Sequence, residues 1–138
     1  CKKGAHIIGD VLAGGGGGAL GSTTPPISTT ISSKGTSLAK AQLITLDVEF
    51  TLVVAVVQMG DPRFVDGKPY NKGTSTRSGL YPRLSSQVYP SALVPGIQSY
   101  CDRNDLFCAS GLSTTVHLTY LDRYQTEARN HILSRIGG

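Results

Sequence analysis

Four segments of the chain carry apolar residues in a regular pattern, and each pattern predicts one secondary-structure element. Residues 4–13 and 118–136 have apolar side chains at helical spacing, and glycines follow both segments, as they often do at helix ends. Residues 53–59 are almost continuously apolar and rich in valine, and residues 96–100 form a shorter apolar run, so both are predicted strands. The order of these elements predicts an α/β fold with a parallel sheet.

The segments between these elements are polar and rich in residues that favour turns. Residues 14–26 are dominated by Gly, Ser, Thr and Pro and are predicted to form a loop. Within them Gly16, Gly18 and Gly21 match G-x-G-x-x-G, but a dinucleotide-binding loop follows a strand and precedes a helix, and this segment follows a helix. Residues 63–95 are predicted to be a long surface loop.

Composition narrows the class of protein without naming an activity. The chain has 138 residues, enough for a single domain with a real core, and charged residues make up only 16%. The net charge is +4, and Lys2-Lys3 is the only adjacent pair of basic residues, so we expect no nucleic-acid partner. No apolar run is long enough to span a bilayer, so we expect no membrane partner.

The candidate catalytic residues follow the second predicted strand. In an open α/β sheet the functional site lies at the carboxyl ends of the strands, where Asp105 and His117 are expected. A carboxylate paired with an imidazole fixes the ring's tautomer and stabilises the imidazolium, as in a Ser-His-Asp triad, and the acid-before-histidine order fits α/β-hydrolases. Asp102 competes with Asp105 for the role of the acid. His6 and His131 are weaker candidates for the base, and no residues have metal-ligand spacing.

Two of the three cysteines, Cys101 and Cys108, enclose a short loop around Asp105. In an oxidising compartment they can form a disulfide, which would stabilise the fold by about 2–3 kcal/mol. Spacing alone equally allows two separate buried thiols. The chain starts at Cys1 and shows no signal sequence, so we expect any targeting segment to lie upstream of it.

Several motifs together resemble one known family. Residues 99–108 read SYCDRNDLFC and residues 117–120 read HLTY, which is similar to the C-terminal signature of the cutinase and acetylxylan esterase family. Residues 59–62 (MGDP) resemble the strand end that precedes this signature, and residues 4–7 (GAHI) resemble the helix after the family's nucleophile. Matches within residues 63–74 resemble acetylxylan esterases more than cutin hydrolases.

This resemblance implies a fold, a mechanism and roles for individual residues. The implied fold is an α/β-hydrolase of cutinase type, a three-layer sandwich around a parallel sheet, incomplete at the N-terminus. Asp105 would be the acid, His117 the base, and Cys101–Cys108 a disulfide that holds the acid's loop. The family is secreted, needs no cofactor or metal, and hydrolyses carboxylic esters through an acyl-enzyme.

The chain departs from the family at its start and in one internal segment. The family motif Gly-Tyr-Ser-Gln-Gly corresponds here to residues 1–4, CKKG, so Lys2 stands at the position of the nucleophilic serine and Lys3 at that of an oxyanion donor. Cys1 is one position away from the nucleophile and is a poor substitute. Residues 35–52 have no counterpart in the family, and we expect a retained intron there or, alternatively, a genuine insertion.

The sequence therefore predicts one N-terminally truncated esterase domain over residues 1–138. Its expected substrates are acetylated xylan, cutin or small acyl esters, and it is expected to be extracellular and monomeric. Because the nucleophile is missing, the chain by itself is expected to lack turnover at the level of a complete triad. The alternative is an inactive or carbohydrate-binding remnant of the same fold, which an exposed platform of Tyr70, Tyr81 and Tyr89 would favour.

Overall fold

The computed structural model describes residues 2–26 and 53–136, so Cys1 and the predicted insertion at residues 35–52 lie outside the described residues. Single turns of 3₁₀ helix occur at Gly18–Leu20 and Val94–Gly96. The helices and strands are, in chain order, α1 (Lys2–Ala13), β1 (Val56–Met59), β2 (Asn71–Lys72), β3 (Ile97–Tyr100), α2 (Thr114–Leu118) and α3 (Tyr120–Ile136).

The three strands form one parallel sheet in the order β1-β3-β2. In the central pair Val56 lies opposite Ile97 and Met59 lies opposite Tyr100. The predicted parallel sheet is therefore confirmed, with both long strands starting slightly later than their apolar runs. The sequence pattern did not reveal β2, because a two-residue strand is too short to produce an alternation of apolar and polar positions.

Helices cover both faces of the sheet, as the alternation along β1 shows. Val56 packs with Leu12 and Ala13 of α1, whereas Met59 packs with Tyr120 and Ala128 of α3. Successive residues of a strand point to opposite faces, so α1 and α3 lie on opposite sides of the sheet. The arrangement is a three-layer α/β/α sandwich. The fully buried residues of the α3 side include both cysteines that flank the loop after β3.

The helix ends follow from local chemistry, with one difference from the sequence prediction. Gly14 ends α1 with a φ of 90°, and its N–H donates to the carbonyl of Asp10 at 3.0 Å, a common way to close a helix with glycine. The C-terminal segment, predicted as one helix from residue 118, is two helices. Thr119 interrupts them with φ −110° and ψ 21°, which places His117 inside the short helix α2.

The prediction that residues 63–95 form a surface loop is wrong for several of its side chains. Arg63 and Phe64 are only 1% and 3% exposed, and Arg83, Gln87 and Tyr89 are also buried. Phe64 packs in the core on the α3 side and Tyr89 in the core on the α1 side, so the segment contributes side chains to both faces of the sheet. Its low apolar content hid this, because the buried positions include two arginines and a glutamine.

Candidate active site

Asp105 lies in a tight turn that begins where β3 ends. The disulfide between Cys101 and Cys108 closes this turn, and both cysteines are fully buried. The Asp105 carboxylate is also fully buried, and its Oδ1 accepts hydrogen bonds from the backbone N–H groups of Phe107 at 2.7 Å and Cys108 at 3.0 Å. Backbone donors of this kind stabilise an ionised carboxylate in a buried position.

The backbone around Asp105 connects the turn directly to α2. Asp105 and Ser113 form a parallel β-bridge, and the Leu106 N–H donates to the Ser113 carbonyl at 3.2 Å. The Ser113 hydroxyl then caps α2 by accepting from the N–H of Val116 at 3.1 Å. Ser113 thus anchors the turn that carries Asp105 and starts the helix that carries His117.

His117 is 6% exposed, and its Nδ1 lies 3.0 Å from Oδ2 and 3.3 Å from Oδ1 of Asp105. When Nδ1–H donates to the carboxylate, Nε2 of the neutral ring carries the lone pair and can accept a proton. The Phe107 ring meets the imidazole edge-on, with centroids 4.5 Å apart. The histidine is therefore held by a carboxylate on one side and an aromatic ring on another.

Gly60, the first residue after β1, makes room for the imidazole. A Cβ at this position would lie 2.6 Å from Cε1 and 2.7 Å from Nδ1 of His117, and the φ of Gly60 is +65°. Its N–H donates to the Tyr100 carbonyl at 3.0 Å, so the backbone here is also fixed to β3. His117 thus lies at the carboxyl end of the parallel sheet, where α/β enzymes place their chemistry.

Comparison with known proteins shows the family to which the chain belongs. A family model described as Cutinase matches residues 4–136, nearly the whole chain. The chain belongs to the cutinase family. This also agrees with the resemblance that the motifs around Asp105 and His117 indicated.

The similar proteins and solved structures carry the names acetylxylan esterase or cutinase. The chain is 34% identical over 134 residues to an acetylxylan esterase of Hypocrea jecorina, covering 97% of this chain and 38% of the relative. It is 32% identical to cutinase 11 of Verticillium dahliae, covering 97% of this chain and 39% of that protein. The chain thus spans less than half the length of these two relatives.

The structural comparison gives the same result. The catalytic core domain of acetyl xylan esterase from Trichoderma reesei superposes with a TM-score of 0.74 at 33% identity, over 95% of this chain and 55% of that one. A second acetyl xylan esterase structure superposes with a TM-score of 0.75 at 28% identity, over 96% of this chain and 56% of the other. The cutinase-like α/β fold expected from the sequence is therefore confirmed.

The structure separates the two candidate acids of this cutinase-family chain. The Asp102 carboxylate faces away from His117: it accepts from Arg123 Nε at 2.8 Å, from the Tyr124 hydroxyl at 2.7 Å, and from both N–H and Oγ1 of Thr74 at 3.0 Å. Its charge is thereby compensated by other groups. Of the two aspartates, Asp105 is the one whose carboxylate contacts the imidazole.

Tyr120 connects both aspartates beneath the site. Its hydroxyl oxygen accepts a hydrogen bond from the Asp102 N–H at 2.7 Å and lies 3.2 Å from Cys108 Sγ. Burial raises the pKa of the Tyr120 phenol; the hydrogen bond from the Asp102 backbone opposes this, and the charges of both carboxylates add to the increase. The phenol therefore stays neutral and serves as packing and a hydrogen-bond partner for the turn.

The other candidate residues lie away from this pair. His6 Nε2 forms an i,i+4 contact with Asp10 Oδ2 at 3.0 Å on α1, and His131 Nε2 lies 2.9 Å from the carbonyl of Gly96. Lys2 is the first residue of α1. Within residues 2–26 and 53–136 no three metal-binding side chains lie together, and no helix there is long and apolar enough to cross a bilayer.

The exposed tyrosine platform is not formed. Tyr89 is only 6% exposed, its ring meets Tyr70 edge-on with centroids 5.2 Å apart, and its hydroxyl donates to Gln58 Oε1 at 3.0 Å. Tyr81 is exposed, but a platform needs several rings with free faces. The feature that would favour a carbohydrate-binding remnant is therefore absent from these three residues.

Sequence reasoning missed a buried charged cluster on the α1 side of the sheet. Arg83 Nη1 lies 2.6 Å from Asp61 Oδ2, and Arg83 Nη2 and Arg63 Nε lie 3.5 Å and 3.3 Å from Asp10 Oδ1. Arg63 Nη2 also donates to Gln87 Oε1 at 2.5 Å. The only signal in the sequence was the Asp-Pro-Arg run that follows β1, which is equally typical of an exposed turn.

The pKa values of the two arginines shift in opposite directions, because the neighbouring carboxylates outweigh the effect of burial only at Arg83. Burial lowers the pKa of Arg63, and the Asp10 carboxylate opposes this only in part. Burial acts to lower the pKa of Arg83 as well, but the charge and hydrogen bond of Asp61 outweigh it, and that pKa is raised. Both guanidiniums stay charged, so the cluster is two cations held by two carboxylates.

Proposed function

We propose that this chain supplies the acid and the base of a carboxylic ester hydrolase that works through an acyl-enzyme. The single observation that carries the proposal is the buried contact of 3.0 Å between Asp105 Oδ2 and His117 Nδ1. His117 is the general base, and Asp105 holds its tautomer and stabilises the imidazolium. Membership of the cutinase family and the names of the relatives support ester hydrolysis.

In the proposed reaction a serine Oγ attacks the acyl carbon of the ester while His117 Nε2 takes the hydroxyl proton. The imidazolium then passes that proton to the departing alkoxide, which leaves as the alcohol. A water molecule repeats the sequence on the acyl-enzyme and releases the carboxylic acid. No cofactor or metal takes part, and backbone amides are the expected donors to the oxyanion.

The nucleophile is proposed to lie at the first residue of α1, where Lys2 stands in this sequence. Two contacts support this position. The Gln58 side chain donates to the Ala5 carbonyl at 3.0 Å, so the first turn of α1 lies beside the end of β1. Gly60, two residues further on, contacts His117. A serine at the start of α1 would therefore share the sheet edge with the imidazole.

The proposed substrates are acetylated xylan, cutin or small acyl esters. The curated relatives are named acetylxylan esterase and cutinase, which supports this range and does not choose within it. An extracellular location is proposed as well. The Cys101–Cys108 disulfide supports it, since such bonds persist in oxidising compartments.

The first test is hydrolysis of p-nitrophenyl acetate by the 138-residue chain and by its His117→Ala variant. Both are expected to show the same low background, because a triad without its nucleophile loses most of its acceleration. Hydrolysis by the chain that disappears in His117→Ala would contradict the statement that Lys2 leaves it without a working nucleophile. It would at the same time support the role of His117.

A second test supplies the nucleophile. In a chimera, the part of the Hypocrea jecorina acetylxylan esterase that precedes the matched region, followed by the family motif Gly-Tyr-Ser-Gln-Gly, replaces residues 1–4 ahead of Ala5. The chimera is expected to gain ester hydrolysis, and His117→Ala or Asp105→Asn should lower kcat by about 10³-fold or more. His131→Ala is the matched control and should leave kcat unchanged. Equal losses in all three variants would refute the assigned roles.

A further inference from the structure

A cavity lies against the turn that carries Asp105, and nothing in the proposed reaction uses it. It has a volume of about 400 Å³ and is open to solvent along two arginines. This size is within the range of pockets that hold small ligands. The cavity is lined by Ser75, Thr76, Arg77, Arg103, Asn104, Ala109 and Gly111.

The two arginines are free to bind an anion. Neither Arg77 nor Arg103 has a side-chain hydrogen bond or an ion pair with another residue of the described ranges 2–26 and 53–136. The nearest carboxylate in sequence, Asp102, is already held by Arg123 Nε at 2.8 Å and by the Tyr124 hydroxyl. Asp105 is fully buried and bound to His117. The described lining contains no acidic residue, so the mouth of the cavity is positively charged.

Hydrogen bonds join the two walls of the cavity. The Ser75 N–H donates to the Cys101 carbonyl at 3.0 Å, and the Arg103 N–H donates to Thr74 Oγ1 at 3.0 Å. The Ser75 hydroxyl donates to the Arg77 carbonyl at 2.8 Å, which fixes the turn that carries Arg77. The segments bearing the two arginines are therefore held in place before a ligand arrives, which lowers the entropic cost of binding.

Small residues let the backbone segments below the cavity pack closely together. A Cβ on Gly111 would lie 2.3 Å from the backbone carbon of Asn104, so the two segments meet with no space for a side chain. Gly111 and Ala109 donate their N–H groups to the Asp105 carbonyl at 2.8 Å and 3.3 Å. The cavity thus rests directly on the backbone of the acid's turn.

We propose that this cavity binds a uronic-acid residue of an acidic polysaccharide. The planar guanidinium groups of Arg77 and Arg103 match a carboxylate, to which arginine binds through two parallel N–H···O bonds. The hydroxyls of Ser75 and Thr76 and the amide of Asn104 suit the hydroxyls of a sugar ring. The site would hold a carboxylate-bearing sugar beside the Asp105 turn. Binding of the sugar does not depend on the proposed function. What rests on the proposed function is the consequence that the site selects acylated polysaccharides that carry uronic acids.

The test is affinity electrophoresis of the full chain in gels that contain polygalacturonate, its fully methyl-esterified form or no polysaccharide. The methyl ester retains the sugar backbone and removes the carboxylate charge. Polygalacturonate is expected to retard the chain, and the methyl ester is not. Arg77→Gln/Arg103→Gln should weaken this binding about tenfold or more, since two charge-assisted contacts are lost. Lys68→Gln/Arg129→Gln removes the same charge from exposed positions outside the cavity and should leave binding nearly unchanged.

Several results would overturn the proposal: equal retardation by the methyl ester, equal losses in the two double variants, or no retardation at all. Binding to a DNA oligonucleotide of equal charge as tight as binding to polygalacturonate would also overturn it, because the cavity would then be a general polyanion contact. Arg77→Lys/Arg103→Lys keeps the charge and loses the planar fork, so it should bind with intermediate strength. None of these readouts depends on ester hydrolysis, so the outcome is separate from that of the proposed esterase activity.

Discussion

At the scale of single residues, the position of His117 depends on the absence of a side chain at Gly60 as well as on the Asp105 carboxylate. Asp105 supplies the carboxylate, but Gly60 supplies the space, since a Cβ there would lie 2.6 Å from the imidazole Cε1. Gly60 also has a φ of +65°, a conformation that residues with a Cβ rarely adopt. A glycine directly after a strand is therefore part of the site although it carries no functional group.

Gly60→Ala is expected to displace the imidazole and destabilise the fold. Gly67→Ala is its matched control, because Gly67 has a φ of +77° and a methyl group added there would meet nothing within 4 Å. The free energy of unfolding of Gly67→Ala should fall by about 1–2 kcal/mol from backbone strain alone. The free energy of unfolding of Gly60→Ala should fall by clearly more than that of Gly67→Ala. In the esterase chimera Gly60→Ala should also lower kcat. Urea unfolding measures both variants, and equal losses would show that the contact with His117 carries no cost.

At the scale of elements, the disulfide-closed turn between β3 and α2 is the unit that presents the Asp105 carboxylate to His117. Cys101 is the residue directly after β3, and Cys108 packs against Tyr120 at the start of α3. The turn is thus joined covalently to the sheet and packed on the last helix. Two of its backbone N–H groups, those of Phe107 and Cys108, point inward and donate to the Asp105 carboxylate.

Replacing both cysteines, as Cys101→Ala/Cys108→Ala, should lower the free energy of unfolding. The closed loop is short, with a sequence separation of 7, so the chain-entropy contribution is about 2–3 kcal/mol. Both positions are fully buried, and the lost sulfur contacts add to this. Urea unfolding with and without a reductant measures the effect. The reductant should destabilise the parent chain and leave the double variant unchanged; sensitivity of the double variant would contradict this explanation.

The charged cluster is a second connection between elements, since it ties α1 to the segment after β1. Asp10 belongs to α1, while Asp61, Arg63 and Arg83 lie in the segment that follows β1. Gln87 extends the connection to the glycine-rich loop by donating to the Gly15 carbonyl at 2.8 Å. The segment is thus held by charges and amides in addition to its buried side chains Phe64, Tyr89 and Leu93.

Asp61→Asn should be strongly destabilising, by about 3–5 kcal/mol, because it leaves a buried guanidinium without its main partner. The matched control, Asp66→Asn, removes a carboxylate from an exposed position in the same segment and should change stability by about 0.5 kcal/mol or less. The double variant Asp61→Asn/Arg83→Met should lose less free energy of unfolding than Asp61→Asn and Arg83→Met lose together. Thermal or urea unfolding of the four variants and the parent gives this coupling, and strict additivity would rule out the ion pair as its source.

At the scale of the whole molecule, buried phenols make stability depend on alkaline pH. Burial raises the pKa of Tyr89, Tyr100 and Tyr124 to about 12, and it raises that of Tyr120 as well. These residues lie on both sides of the sheet. Above pH 10 the unfolded chain releases phenolic protons that the folded chain retains, so rising pH favours the unfolded state.

The free energy of unfolding is therefore expected to fall as pH rises from 10 towards 12. Tyr89→Phe removes one of the raised phenols and should make this decline less steep, although loss of its hydrogen bond to Gln58 lowers stability at neutral pH. Tyr81→Phe, at an exposed tyrosine, is the control and should leave the slope unchanged. Urea unfolding at several pH values measures the slope. A steeper or identical decline in Tyr89→Phe would show that this phenol does not contribute.

The sequence by itself determined the main helices, the two long strands and the disulfide after β3. Apolar spacing identified α1 and α3, and the valine-rich run identified β1, because these patterns depend on residues within a few positions of each other. The motif around Cys101 and Cys108 likewise indicated the disulfide and the order of acid and histidine.

Only the tertiary structure decided which side chains are buried together. It separated Asp105 from Asp102, because the partners of Asp102 lie on α3 and beyond β2 and leave Asp105 to face His117. It also buried Arg83 against Asp10, a contact across 73 positions of the chain. A charged residue can be buried only where distant segments bring it a partner, and no local pattern of apolar and polar positions records that meeting.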